Sequence, residues 1–261
     1  NFMGTGNTVS ASVSTGEINK TYALNYTDPY FTDDGVSRSL GAYRKDVNTN
    51  DLATATYNTY SYGANIGFGL PLSEYDAVGV HATLDVTDIE LGVNASDEYF
   101  AYCRNITGTS STTGCNSDSL TIDSVFQTDT RNSAQFPTSG YSWKATGEIS
   151  MPVFDMRFYK FVASGERYFP ISSDMTFKVR GQAGFADSYG NKKYPFFKNF
   201  YMGGPKSVRG FDQASIGKKS LNAITGKYET TGGKHSGFVS AELFFPPPGL
   251  KNVKSFRLST F

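Results

Sequence analysis

Pro195-Phe196-Phe197-Lys198-Asn199-Phe200-Tyr201-Met202-Gly203-Gly204-Pro205-Lys206-Ser207-Val208-Arg209-Gly210-Phe211 lies between two segments that alternate apolar and polar residues. The stretch joins an aromatic run and a Gly-Gly turn to one arginine, Arg209, held between Val208 and the Gly210-Phe211 pair. A glycine beside an arginine lets the backbone turn tightly enough to aim the guanidinium inward. The planar guanidinium fork suits a buried carboxylate better than a lysine does. A Val-Arg-Gly-Phe in isolation is an ordinary turn; the long string around it is what makes the pattern specific.

On both sides of this stretch the side chains alternate with period two, the strand signal. Upstream, Phe177, Val179, Gly181, Ala183 and Phe185 oppose Lys178, Arg180, Gln182 and Gly184; downstream, Val239, Ala241, Leu243 and Phe245 oppose Phe238, Ser240, Glu242 and Phe244. The same pattern runs from Tyr62 to Leu70, from Val78 to Val86 and from Trp143 to Met151. It predicts strands near 8–15, 20–27, 37–48, 60–71, 76–91, 119–130, 141–151, 156–170, 174–188, 236–245 and 253–261. Alternation alone does not separate a soluble sandwich from a barrel. Segment length does: several strands reach about ten residues or more, as a tilted membrane-spanning strand requires. Tyr26, Tyr30, Phe31, Tyr168 and Phe169 cluster near strand ends, where interfacial aromatic girdles lie. The expected fold is all-β, an antiparallel transmembrane barrel. On this reading Ile66, Phe68, Val80, Leu84, Ile149, Val179 and Leu243 face lipid, while Asn65, Thr83, Glu148, Arg180 and Glu242 face the lumen.

Composition agrees. The 261 residues carry 24 basic and 24 acidic side chains, so no net field points to nucleic acid or anionic lipid. No run of about eighteen apolar residues occurs, which excludes a helical membrane protein and leaves a barrel open. No signal peptide is present, as in a mature chain or an internal fragment. The connections are asymmetric: tight turns at 28–35, 71–75, 136–140 and 171–174, against long loops at 92–118 and 189–235. Short turns at one rim and long loops at the other are the habit of outer-membrane barrels, whose long loops lie outside the cell.

Cys103 and Cys115 are the two cysteines, close together in a polar segment. Zinc is disfavoured, since His81 and His235 are far apart in sequence and no further cysteine exists. A disulfide clipping the 92–118 loop in an oxidising compartment is the simplest account. No cofactor or metal is expected.

The quoted string resembles the conserved long-loop motif of the BamA family, barrel proteins of the bacterial outer-membrane assembly machinery. Asp28-Pro29-Tyr30-Phe31 and Phe136-Pro137-Thr138-x-Gly140 resemble that family's periplasmic turns, so the likeness covers nearly the whole chain. It implies that 1–261 is a partial barrel domain, about eleven strands of roughly sixteen. The first two strands, most of the thirteenth, the last three, and the POTRA modules would lie outside it. It also implies a function: folding and inserting barrel proteins into the outer membrane without nucleotide hydrolysis. The implied partners are unfolded outer-membrane protein clients, outer-membrane lipids, lipopolysaccharide and accessory assembly lipoproteins, with no nucleic acid.

By the same resemblance the 189–235 loop folds back into the lumen, and Val208, Arg209, Gly210 and Phe211 latch there through an ion pair from Arg209 to Glu242. Glu242 falls independently on the polar face of its strand. Lys144, Glu148, Lys178, Arg180 and Asp85 read as lumen charges facing water. No nucleophile–base motif accompanies either histidine, and Gly203-Gly204 lacks the Lys-Ser/Thr ending of a phosphate loop, so an enzyme is not expected. The alternatives are a passive porin and a two-partner-secretion-type transporter barrel.

Overall fold

The computed structural model describes residues 5–16, 18–48, 57–93, 95–108, 113–221, 226, 228–247 and 257–261. Its main sheet is antiparallel, with strands β1 (Thr8–Thr15), β2 (Asn19–Asp28), β3 (Ser37–Asn48), β4 (Tyr57–Pro71), β5 (Asp76–Leu91), β6 (Gly114–Asp129), β7 (Gly140–Ser150), β8 (Phe158–Pro170) and β9 (Thr176–Ser188). A small hairpin of β10 (Lys218–Leu221) and β11 (Tyr228–Gly232) follows, then β12 (His235–Phe245) and β13 (Leu258–Thr260). Eleven strands pair in the order β1 to β9, then β12 and β13; β10 and β11 form a separate two-stranded sheet. The expected strands are recovered with small boundary shifts. For the last, 253–256 lie outside the described residues.

Facing follows the alternation. Ile66, Phe68, Val80, Leu84 and Ile149 are solvent-exposed, and among the described residues no second sheet packs over them; Val179 and Leu243 are half-buried. Large apolar groups left open on one face are the signature of a lipid-facing wall rather than of a sandwich core. The opposite face is concave. Asn19 on β2, Tyr43 on β3, Thr59 on β4, Asp85 on β5, Glu148 on β7 and Lys160 on β8 all line one cavity of about 410 Å3. In a flat sheet β2 and β8 would stand about 29 Å apart, six spacings of roughly 4.8 Å. Only a curved wall brings their side chains round one space. The sheet is an arc of a barrel.

Near the long-loop rim the polarity of the two faces exchanges. On β5, Ile89 and Leu91 are buried on the concave side while Asp88 and Glu90 are exposed on the other. The reason is α1 (Asp97–Thr107), which packs over this end of the wall. Ser96 caps the helix by accepting from Glu98 N–H; Asp97 and Glu98 lie in its first turn, and left-handed Gly108 donates its N–H to the Arg104 carbonyl. Tyr99, Tyr102 and Cys103 fall on one stripe and are buried. By its polar composition 92–118 reads as a loop. The structure corrects this: the stretch holds a helix, and from Gly114 it is already part of β6.

Candidate functional site

The long connection from β9 to β12 leaves the wall at the rim where α1 lies and turns onto the concave face. Its first anchor is aromatic. The 3-10 turn Phe196–Lys198 drives the Phe196 ring among Tyr99 at 4.2 Å, Tyr57 at 4.8 Å and Tyr102 at 5.4 Å between centroids, with Phe196 only 2 % exposed. These pairs join three elements: the wall strand β4, the helix and the loop. Edge-on and offset aromatic pairs of this kind are each worth about 0.5–1.5 kcal/mol beyond their buried area. Burial pushes the Tyr102 phenol well above its ordinary pKa, and its hydroxyl shares a 2.8 Å hydrogen bond with Ser117 on β6.

The second anchor is polar. Lys198 Nζ lies 2.7 Å from Glu148 Oε1 on β7, and the Lys198 carbonyl accepts from Lys160 Nζ on β8 at 2.9 Å. Phe200 and Gly233 exchange backbone hydrogen bonds of 2.8 and 3.0 Å. The Phe200 ring rests on Gly184 of β9, where an added Cβ would come within 2.6 Å of it; glycine is what admits this close approach.

The third anchor is the motif itself. Ser207 Oγ accepts from Gly203 N–H at 2.9 Å and donates to the Gly203 carbonyl at 3.0 Å, closing the turn before Val208. Gly210 has φ +84, a left-handed conformation that favours glycine and reverses the chain just after the arginine. Arg209 Nη2 then lies 3.1 Å from Glu242 Oε1 on β12. Glu242 is 4 % exposed. Its β9 neighbour is Lys178, ten residues from Ser188 where the loop leaves the wall, so the motif has travelled roughly 34 Å along the strand direction at about 3.4 Å per residue. Val208 is half-buried and Phe211 is exposed.

Glu242 serves a second arginine. Arg180 Nε on β9 stands 3.7 Å from the same Oε1, too long for a hydrogen bond but within ion-pair range. The Arg209 guanidinium also lies 4.4 Å from the Phe261 ring centroid, a favourable cation–π distance. Two cations thus converge on one buried carboxylate.

Most of the lumen charges expected to face water have partners instead. Glu148 binds Lys198; Lys178 lies 3.1 Å from Glu166, which also takes Arg131 at 2.9 Å. Asp85 accepts from the Tyr43 hydroxyl. The correction has one cause: a loop laid on the concave face and neighbouring strands supply countercharges close at hand, and pairing offsets the cost of partial desolvation. Lys198 sits inside the quoted string, so a basic partner for some wall carboxylate was visible; which carboxylate was not. His81 Nδ1 is 2.9 Å from Asp123 Oδ2, a cross-strand wall pair.

Cys103 and Cys115 are bonded, with sulfurs 2.05 Å apart. The bond expected to clip the 92–118 loop does not join two loop positions: Cys103 is in α1 and Cys115 is on β6, paired with Ile89. The bond ties the helix to the wall. Closing so short a loop contributes about 3 kcal/mol to the docked form on the chain-entropy model. Replacing both cysteines by serine should speed amide exchange across 97–107 while the barrel keeps its heat resistance in detergent. Unchanged exchange in the helix would show that the aromatic cluster alone holds it.

The Omp85 superfamily domain pattern matches residues 1–261, the whole chain. The chain belongs to the Omp85 superfamily. The outer membrane protein assembly factor BamA of Neisseria meningitidis serogroup B is 33 % identical over 265 residues, covering 100 % of this chain and 33 % of the relative. The BamA of Nitratidesulfovibrio vulgaris is 25 % identical over 267 residues, covering 99 % of this chain and 31 % of that protein. Among solved structures, BamA from Haemophilus ducreyi lacking POTRA domains 1–3 superposes with a TM-score of 0.91 at 26 % identity, over 99 % of this chain and 51 % of that one. The chain therefore spans about a third of the curated relatives it matches. As in other Omp85 proteins of bacteria, its place is the outer membrane, with the convex apolar face turned to lipid.

Proposed function

We propose that this chain is the wall and lumen loop of an outer-membrane protein assembly factor, which folds and inserts barrel proteins without consuming nucleotide. The observation that carries the reading is the Arg209–Glu242 contact, which holds a loop from one rim deep on the concave face. An ion pair on one wall strand fixes the loop's reach but leaves the wall free to flex elsewhere, as a protein that must admit client strands requires. Residues 1–261 act as one partial barrel domain, with α1 and its disulfide outside the cell and 189–235 as the loop that carries the latch. Val208, Gly210 and Phe211 shape the turn that delivers Arg209. The partners are unfolded outer-membrane clients, lipid and lipopolysaccharide around the convex face, and assembly lipoproteins engaged through other parts of the protein.

The test is reconstitution of the full-length protein in vesicles with an unfolded barrel client. Arg209→Ala should lower the yield of protease-resistant folded client, with the variant present in normal amount. Unimpaired client folding would contradict the role of the latch. A steady large single-channel conductance without client folding would favour a passive porin.

A further inference from the structure

On the convex face lies a groove of about 540 Å3 that crosses β7, β8, β9 and β12. Its floor and sides are set by one cross-strand row, Trp143, Gly165, Gly181 and Val239, each the register partner of the next on the neighbouring strand. The two glycines leave the backbone bare between two upright apolar side chains. Val239 is 80 % exposed and Trp143 is 40 % exposed, so the walls stand open to whatever surrounds the barrel. Tyr141 and Phe169 close the groove toward the turn rim.

At that same end stands Arg167, exposed and outward, its guanidinium 5.0 Å from the Phe169 ring centroid. It makes no ion pair among the described residues. Glu166 and Arg180, which also border the groove, are paired on the concave face with Arg131 and Lys178 and with Glu242. Their charges are spent there. An outward guanidinium three residues from the end of a lipid-facing strand needs an anion with oxygens it can fork onto. The apolar trough running away from it needs an aliphatic chain. Along β8 the groove runs back from Arg167 to Gly165, two residues or about 7 Å at roughly 3.4 Å each, room for the first carbons of one acyl chain.

We propose that this groove binds one phospholipid, its phosphate on Arg167 and one acyl chain laid over Gly165 and Gly181 between Trp143 and Val239. A membrane lipid fits better than a protein segment because the site pairs one outward cation, without an ion-pair partner among the described residues, with an open apolar trough on the wall face turned to lipid. That the lipid belongs to the inner leaflet rests on the turn rim being periplasmic, as the proposed function has it. Binding itself rests only on the barrel wall.

The experiment is native mass spectrometry of the full-length protein in detergent with added dioleoylphosphatidylglycerol, and separately with dioleoylglycerol, which lacks the phosphate. Arg167→Gln should cut retention of the phospholipid about fivefold, the scale of one interfacial cation, and leave retention of dioleoylglycerol unchanged. Gly165→Val, which fills the trough, should lower both. Arg44→Gln is the control, an exposed arginine already paired with Asp46, and should lower neither. If Gly165→Val fails to give the heat-modifiable folded band, the Arg167→Gln comparison decides alone. Equal phospholipid retention by wild type and Arg167→Gln overturns the proposal, as does a photo-reactive residue at Val239 that captures a protein rather than lipid. Neither result bears on client folding, so this site and the assembly reading fail independently.

Discussion

Glu242→Ala is expected to destabilise the folded barrel more than Arg209→Ala, although the two changes break the same 3.1 Å contact. The asymmetry comes from Arg180, which stands 3.7 Å from the same carboxylate oxygen. Without Arg209, Glu242 keeps a cation beside it, and the loss is that of one charged hydrogen-bonded partner, about 1–2 kcal/mol. Without Glu242, two arginines face each other in a site where neither carboxylate nor bulk water compensates fully. Stranding charge in this way costs about 3–5 kcal/mol when burial is complete. The arginine side chains are 27 % and 21 % exposed, so the lower end of that range, about 3 kcal/mol, is expected. The readout is the temperature at which the full-length folded barrel loses its fast-migrating band in detergent. Equal shifts for the two variants would show that Arg180 takes no part.

The second large effect is expected from Phe196→Ala. This ring is the common neighbour of Tyr57, Tyr99 and Tyr102, and it also meets Phe197 edge-on at 5.5 Å. Truncating a buried phenylalanine typically costs about 3–5 kcal/mol. Here the cost falls on docking rather than on global unfolding, because the rings join a loop and a helix to the rim of the sheet. Amide exchange should rise together in 97–107 and 189–200 and stay unchanged in β7 to β9. Exchange rising in α1 alone would mean that the loop is held by its polar anchors, Lys198 with Glu148 and Phe200 over Gly184, without help from the aromatic cluster.

Much of this architecture was readable in the residues because a barrel wall obeys a period of two. Phe177 to Phe185 and Val239 to Leu243 alternate without interruption, and each one-residue slip would turn every apolar group inward. Hence strand positions, facing and the placement of Glu242 on the concave side came directly from the pattern. The helix was not read. Its signals were present, in Ser96 with Asp97 and Glu98, and in Gly108 after Arg104, but the segment is short and polar on average. Its buried stripe of Tyr99, Tyr102 and Cys103 has meaning only once Phe196 is known to cross over it. Lys178 and Glu166 are diagonal partners across β9 and β8, a matter of register; the Glu148–Lys198 pair was illegible for a related reason. Alternation says which face a charge occupies; the partner depends on where a loop of some forty residues comes to rest, and no local rule fixes that. Arg180 reads as facing water because its partner Glu242 comes beside it only through the pairing of β9 with β12, across the whole 189–235 connection.

The motif loop is pinned to the concave wall through Arg209 and Glu242. The measurement that addresses it most directly is a double-mutant cycle in the full-length protein: wild type, Arg209→Ala, Glu242→Ala and both together, each followed by thermal unfolding in detergent and by protease cleavage at 203–211. The account predicts that the double variant loses less stability than the two single losses combined, with a coupling of about 1–3 kcal/mol, within the range for residues in contact. It also predicts that cleavage of the loop appears in all three variants and not in wild type. Strict additivity, with the loop protected in every variant, would contradict it.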